Sequence, residues 1–117
     1  MSFMNEEALS EQEFEKLADA ELRALERALG DLDGLEVDLS SGILTLEFPD
    51  GLKYVVNSHR AARQIWMAAE RSAWHFDFQR GASRWVASKS GDELRQALGA
   101  VVSRKLGRSV ELGAQAA

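Results

Sequence analysis

The 117 residues include no cysteine, which excludes disulfides, thiolate metal sites, thiolate-held metal clusters and cysteine nucleophiles. Any bound metal must sit on oxygen or histidine. Histidine occurs only twice, and His59 and His75 stand in none of the H-x-x-H, H-E-x-x-H or E-x-x-H spacings of metal centres. Both read as surface or hydrogen-bonded side chains outside catalysis and tight metal ligation. G-x-S-x-G, G-x-x-x-x-G-K and G-x-G-x-x-G are all absent, so nucleophile-elbow and phosphate-loop chemistry has no visible home. No stretch approaches the roughly 20 apolar residues of a membrane span. The start, Met1 to Glu7, lacks the basic and apolar regions of a signal peptide, so a cytoplasmic protein is expected. Bases are also in deficit, 14 against 19 acids for a net charge of -5. That argues against nucleic-acid binding, which needs clustered Lys and Arg, and favours a cationic partner, protein or metal.

What is present is one domain's worth of chain with 45% hydrophobic residues and a single proline. The domain is expected over residues 1–112, with Gly113 to Ala117 a frayed tail. Phe14, Leu17, Ala18, Leu22, Leu25, Leu29 and Leu32 recur at steps of three and four, which predicts an amphipathic helix over about 11–29. Ser10 with Glu13 forms a capping-box pattern at its start, and Gly30 or Gly34 ends it. The period then changes to two. Leu35, Val37 and Leu39 face one way, Glu36 and Asp38 the other. Ser40-Ser41-Gly42 is a hairpin turn, residues 43–48 a second strand, Pro49-Asp50-Gly51 a further turn and residues 52–57 a third strand. Residues 64–69, 73–78 and 84–87 are further strands, although Met67 to Arg71 would equally start a helix on propensity. Ser90-Gly91-Asp92-Glu93 repeats the capping-box pattern before a second helix carrying Leu94, Leu98, Val101, Val102 and Leu106, up to Gly107. The expected fold is α+β: a two-layer sandwich with both helices on one face of a five- to six-stranded antiparallel sheet, the other face left to solvent or a partner.

The charge is unevenly spread. Residues 1–38 carry twelve acids against three bases, a net of -9, and the remainder seven against eleven, a net of +4. Glu7, Glu11, Glu15 and Asp19 stand four apart and Glu26 seven further on, so all five share one helix stripe. Like charges at that spacing oppose helix formation by about 0.2–0.5 kcal/mol per pair. Asp31 and Asp33 in the following turn, then Glu36 and Asp38 on the outward face of the first strand, extend the stripe to the sheet edge. Hard oxygen ligands suit Mg, Ca, Mn and iron ions, but carboxylates on an open surface hold them weakly, at several exchangeable sites. The bland alternative is a solvated acidic face.

Residues 57–66 put Asn57 at a strand end and Gln64-Ile65-Trp66 at the start of the next. If Ile65 points to the helices, Trp66 lies on the open face; a core tryptophan is the other reading, and alternation leaves the two even. Trp85 is taken as core. Here the chain resembles the bacterial frataxins of the CyaY type over about residues 11–112. The residues that carry the likeness are Glu13-Phe14-Glu15-Lys16-Leu17-Ala18-Asp19 in the first helix, Ser41-Gly42-Ile43-Leu44-Thr45-Leu46, Asn57 followed by Gln64-Ile65-Trp66, Trp74-His75-Phe76-Asp77, then Trp85 and the capped second helix.

The resemblance implies an iron-binding regulator or chaperone of iron-sulfur cluster assembly. It would dock on the cysteine desulfurase with its scaffold protein and hold Fe2+ or Fe3+ on an acidic ridge without holding a cluster. Ridge positions are Glu15, Asp19, Glu26, Asp31, Asp33, Glu36 and Asp38, with Glu11 on the same stripe, and the partner-facing positions are Asn57, Gln64 and Trp66. A monomer is expected, with iron-dependent oligomers as a family possibility. Arg23, Arg27 and Gly30 depart from the family pattern, since relatives often carry acids there, and Asp19 with Arg23 makes an opposite-charge pair that neutralises part of the ridge. The helix-to-strand loop is also shorter than in some relatives. Two alternatives remain: a ferrous iron oxidase or iron store, disfavoured because no Glu-x-x-His pair provides a di-iron cage, and an acidic module that binds only protein.

Overall fold

Ser10 has extended backbone, its Oγ accepts from the Glu13 N–H at 3.0 Å, and the Glu13 carboxylate accepts from the Ser10 N–H at 3.2 Å. This reciprocal cap satisfies two backbone donors that a helix start leaves orphaned, and α1 runs from it over Glu11–Gly30. The computed structural model describes residues 9–113. Gly34 takes φ +82° in the turn that follows α1, a conformation that costs glycine little.

The strands are β1 (Glu36–Ser40), β2 (Ile43–Glu47), β3 (Lys53–His59), β4 (Gln64–Ala69), β5 (Ser72–Gln79) and β6 (Arg84–Ala87), and α2 spans Leu94–Leu106. They form one sheet in the order β1-β2-β3-β4-β5-β6, every neighbouring pair antiparallel. The β1–β2 hairpin closes through Ser41 and Gly42, both at positive φ (51° and 77°), as the right-handed twist of a two-residue turn demands. A Cβ at Gly42 would sit 2.6 Å from the Ser58 Oγ, so space as well as backbone selects glycine there. The ambiguous stretch at Met67 is strand. Met67 and Ala69 are buried while Ala68 is exposed, and this period-two burial overrides the helical propensity of the segment. β3 continues two residues past the expected Asn57, because Ser58 pairs with Ile65 and His59 with Gln64.

One sheet face is apolar. Leu44, Leu46, Val56, Ile65, Met67, Phe76 and Trp85 share a single core with Phe14, Leu22, Leu25 and Leu29 of α1 and Leu94, Leu98, Val101 and Val102 of α2. The fold is therefore the expected two-layer sandwich, with six strands. Trp85 is fully buried, edge-on to Phe14 (centroids 6.0 Å) and Phe78 (5.1 Å), a favourable geometry for aromatic pairs.

Two features differ from expectation. The second capping box does not form. α2 is capped by Glu93, whose carboxylate accepts from the Gln96 N–H (3.0 Å) and the Arg95 N–H (3.1 Å), while Ser90 bonds Asp92 instead. The cause is that residues 91–93 are held along β6: the Ala87 N–H donates to the Asp92 carbonyl and Val86 bridges to Glu93, so the helix begins only after them. The other is Glu21, an acid on the buried face of α1. Its side chain has no exposure and accepts both the Nε (2.8 Å) and an Nη (2.9 Å) of Arg95 from α2. That bond is the main cause of the upward shift in the Arg95 pKa. Glu21 lies three beyond Ala18 and four before Leu25, so its place on the core face was available from spacing alone. Of the expected tail, residues 114–117 lie outside the described residues, as does Glu7 of the acidic stripe.

Candidate docking face and acidic edge

Because side chains alternate along strands, burying Leu44, Val56, Ile65 and Phe76 turns Ile43, Asn57, Trp66 and His75 outward. Pairing then aligns these four into one row across β2, β3, β4 and β5: Ile43 opposite Asn57, Asn57 opposite Trp66, Trp66 opposite His75. The three expected partner residues are thus brought together. Trp66 is half-buried on the open face, as the outward reading has it, and its Nε1–H donates to Gln64 Oε1 at 2.7 Å. Gln64 in turn donates through Nε2 to Asp77 Oδ1 at 3.1 Å. The indole's one polar atom is therefore satisfied within the protein, and what it offers outward is carbon. Ile43, at the β2 end of this row, is 45% exposed, which adds a second apolar side chain to the same face.

The histidines occupy a place that residue spacing did not reveal. His59 stacks on one face of the Trp66 indole, with centroids 3.8 Å apart and planes 16° apart, and His75 stacks on the other at 4.2 Å and 13°. His75 is directly opposite Trp66, whereas His59 reaches it diagonally from its place opposite Gln64. Far from being hydrogen-bonded throughout, His59 has a buried Nδ1 without a hydrogen-bond partner among the described residues. The missed signal was parity: His59 shares the outward register of Asn57.

The acids divide into two groups. Glu15 is paired with Arg60 of the β3–β4 turn at 3.1 Å, and Asp19 with Arg23 at 2.8 Å. The Asp19 hydrogen bond, with Glu26 adding a smaller contribution, shifts the Arg23 pKa upward. The anticipated Asp19–Arg23 neutralisation is therefore present, and Glu15 is neutralised as well. Glu11, Glu26, Asp31, Asp33, Glu36 and Asp38 form no ion pair among the described residues. Arg108 donates to the backbone carbonyl of Asp33 at 2.7 Å, and Asp38 accepts from Ser40 Oγ at 3.0 Å. Glu36 and Asp38 stand opposite Glu47 and Thr45 on the same open face as Trp66. No three His, Asp or Glu side chains among the described residues converge closely enough to enclose an ion. Any cation on these carboxylates would be held from one side, by one or two groups.

Helices on one side of a meander, an outward row built on a clamped tryptophan, and acids along the first strand that form no ion pair among the described residues define a small two-layer α+β sandwich. The chain belongs to the frataxin family: residues 7–108 match the Frataxin-like domain. It is 42% identical over 102 residues to the iron-sulfur cluster assembly protein CyaY of Ralstonia nicotianae, covering 83% of this chain and 88% of that one. It is 38% identical to the CyaY of Cupriavidus pinatubonensis, covering 90% and 97%. Among solved structures, the frataxin of Psychromonas ingrahamii superposes with a TM-score of 0.82 at 26% identity, over 91% of this chain and all of that one. The trimeric frataxin of Saccharomyces cerevisiae, complexed with ferrous iron, superposes at 0.62 with 28% identity, over 91% and 94%.

Proposed function

We propose that this protein is a non-enzymatic, cytoplasmic regulator or chaperone of iron-sulfur cluster assembly that docks on the cysteine desulfurase and its scaffold protein. The observation that carries the reading is the half-buried Trp66, its Nε1–H satisfied internally, on the sheet face opposite α1 and α2, the same face that carries Glu36 and Asp38 three strands away on β1. Tryptophan is a common hot-spot residue, and carboxylates at the edge of the same face steer the approach of a basic surface. The relatives named for iron-sulfur cluster assembly support the choice of pathway. Iron, ferrous or ferric, is cargo in this reading. It binds weakly and exchangeably on the unpaired acids, chiefly Glu26, Asp31, Asp33, Glu36 and Asp38, and by lowering the negative charge there it changes docking. The ferrous complex of the yeast protein supports an association with iron.

The test is sulfide production by purified desulfurase and scaffold, with and without this protein and with and without ferrous iron. A change that depends on the protein and is altered by iron is expected; unchanged output under all conditions overturns the reading. Ferrous oxidation in air, measured in parallel, separates this function from an oxidase: a regulator leaves the oxidation rate close to the protein-free value.

A further inference from the structure

The two imidazoles that clamp Trp66 are the feature of the open face that the docking reading leaves unused. They lie against an indole whose polar atom is already bonded, at 3.8 and 4.2 Å. A partner that covers Trp66 must therefore also cover at least one ring on each side of it. We infer that docking at this face is proton-linked: the partner is accepted with His59 and His75 neutral, and protonating either one expels it. The inference rests on the proposed docking role of the same face.

The electrostatics around the rings favour the neutral form in the complex. His59 faces Gln64 and Trp66 of β4, and Arg60 follows it in sequence with its guanidinium turned to Glu15. His75 faces Trp66 from β5 and shares a surface depression with Gln64 of β4 and with Ser88, Lys89 and Ser90 beyond β6, Lys89 being the cation that lines it. Asp77 stands opposite Gln64, two residues from His75 on β5, and is occupied as the acceptor of the Gln64 amide. Neither imidazole has a carboxylate partner among the described residues. Exposed to water, an imidazolium on an indole face gains a modest cation–π attraction. Once covered, it loses hydration, and no carboxylate replaces the water. In His59 the charged form also requires a proton on the buried Nδ1, which has no hydrogen-bond partner among the described residues. The partner this face fits is thus a protein surface with an apolar socket for Trp66 and basic residues at its margin, facing Glu36 and Asp38. Histidine is the side chain whose ordinary titration falls between about pH 5 and 8, which sets the range for the test.

The experiment is calorimetric titration of the purified desulfurase–scaffold complex with the wild-type protein and with the His59→Gln/His75→Gln variant, from about pH 8 down to about pH 6. Each histidine that must stay neutral lowers affinity by up to about tenfold per pH unit below its titration point. The wild type is expected to lose at least about tenfold in affinity across that range relative to the variant, which removes any pH dependence belonging to the partner. Repeating the wild-type titration in two buffers of different ionisation enthalpy should show proton release on docking at the lower pH, a reading that does not depend on the variant's folding. Equal pH slopes for the two proteins, with no proton release, would overturn the inference and leave the docking role standing. Absence of binding at about pH 8 would overturn both.

Discussion

The contact that joins the two helices offers a sharp test of the packing argument. Arg95 donates to both oxygens of Glu21, whose side chain has no exposure, whereas the guanidinium side chain is 16% exposed. The two ends of this bond are therefore unequal. In Arg95→Met the carboxylate is stranded without water or a partner, and losing one member of a buried pair costs about 3–5 kcal/mol. In Glu21→Leu the guanidinium can rotate to its exposed side, so the cost should be nearer the roughly 1.5–3 kcal/mol of hydrogen bonds to a charged group. The double variant replaces the pair by hydrocarbon and should come back to within about 1 kcal/mol of the wild type, or exceed it.

Urea denaturation of the four proteins at neutral pH measures this cycle. A pH series adds a second reading. A stranded carboxyl has its folded pKa raised above the unfolded value, so its penalty is small at acid pH and grows as pH rises toward the folded pKa. The gap between Arg95→Met and the wild type should thus narrow on going from about pH 7 to about pH 5, by up to about 1.4 kcal/mol per unit. The reasoning is refuted if the two single variants are equally destabilised, if the double variant loses the sum of the two, or if the gap is the same at both pH values.

The two tryptophans should respond oppositely. Trp85→Ala opens a large cavity beneath Phe14 and Phe78 and should cost about 3–5 kcal/mol, while Trp66→Ala, which removes a half-buried ring stacked between two imidazoles, should lower the melting temperature less and weaken docking; the reverse order of melting temperatures would overturn the assignment of the two faces. Acid should destabilise the fold through three surface pairs. Glu13 is held below the ordinary carboxyl range by its hydrogen bond from Arg80, Asp50 by Lys105 and Glu70 by Arg104. Because these folded pKa values are depressed, the stability they add is present above about pH 4.5 and is lost as pH falls through them. Their exposure makes the effect small and salt-sensitive, so urea midpoints that rise on acidification below that point would contradict it.

The fold was legible in the sequence where local chemistry and burial agree. Ser10 with Glu13, the change from period four to period two at Leu35, and Ser41-Gly42 each specify their element within a few residues. Legibility failed where a distant contact decides. Nothing local distinguishes Ser90-Gly91-Asp92-Glu93 from a capping box; the bridge from Val86 to Glu93 delays the helix. His59 and His75 are sixteen residues apart and meet only because β4 runs between their strands with Trp66 in the row. Strand parity would have placed both on the open face, but only register puts them against one ring.

Register and pairing also recast the uneven charge. The opposition of -9 against +4 along the chain is partly an internal adhesive: Glu13, Glu15 and Glu21 of α1 bind Arg80, Arg60 and Arg95, all from the basic remainder, and Asp19 is answered within the helix by Arg23. Those acids cannot serve a partner without releasing a structural contact. The negative field left to act outward is therefore shifted toward the end of α1, the following turn and β1, from Glu26 to Asp38. Glu36 and Asp38 share their sheet face with Trp66. A partner docking there as proposed would meet charge and shape on one surface, and the acids that guide its approach would also set which face it meets.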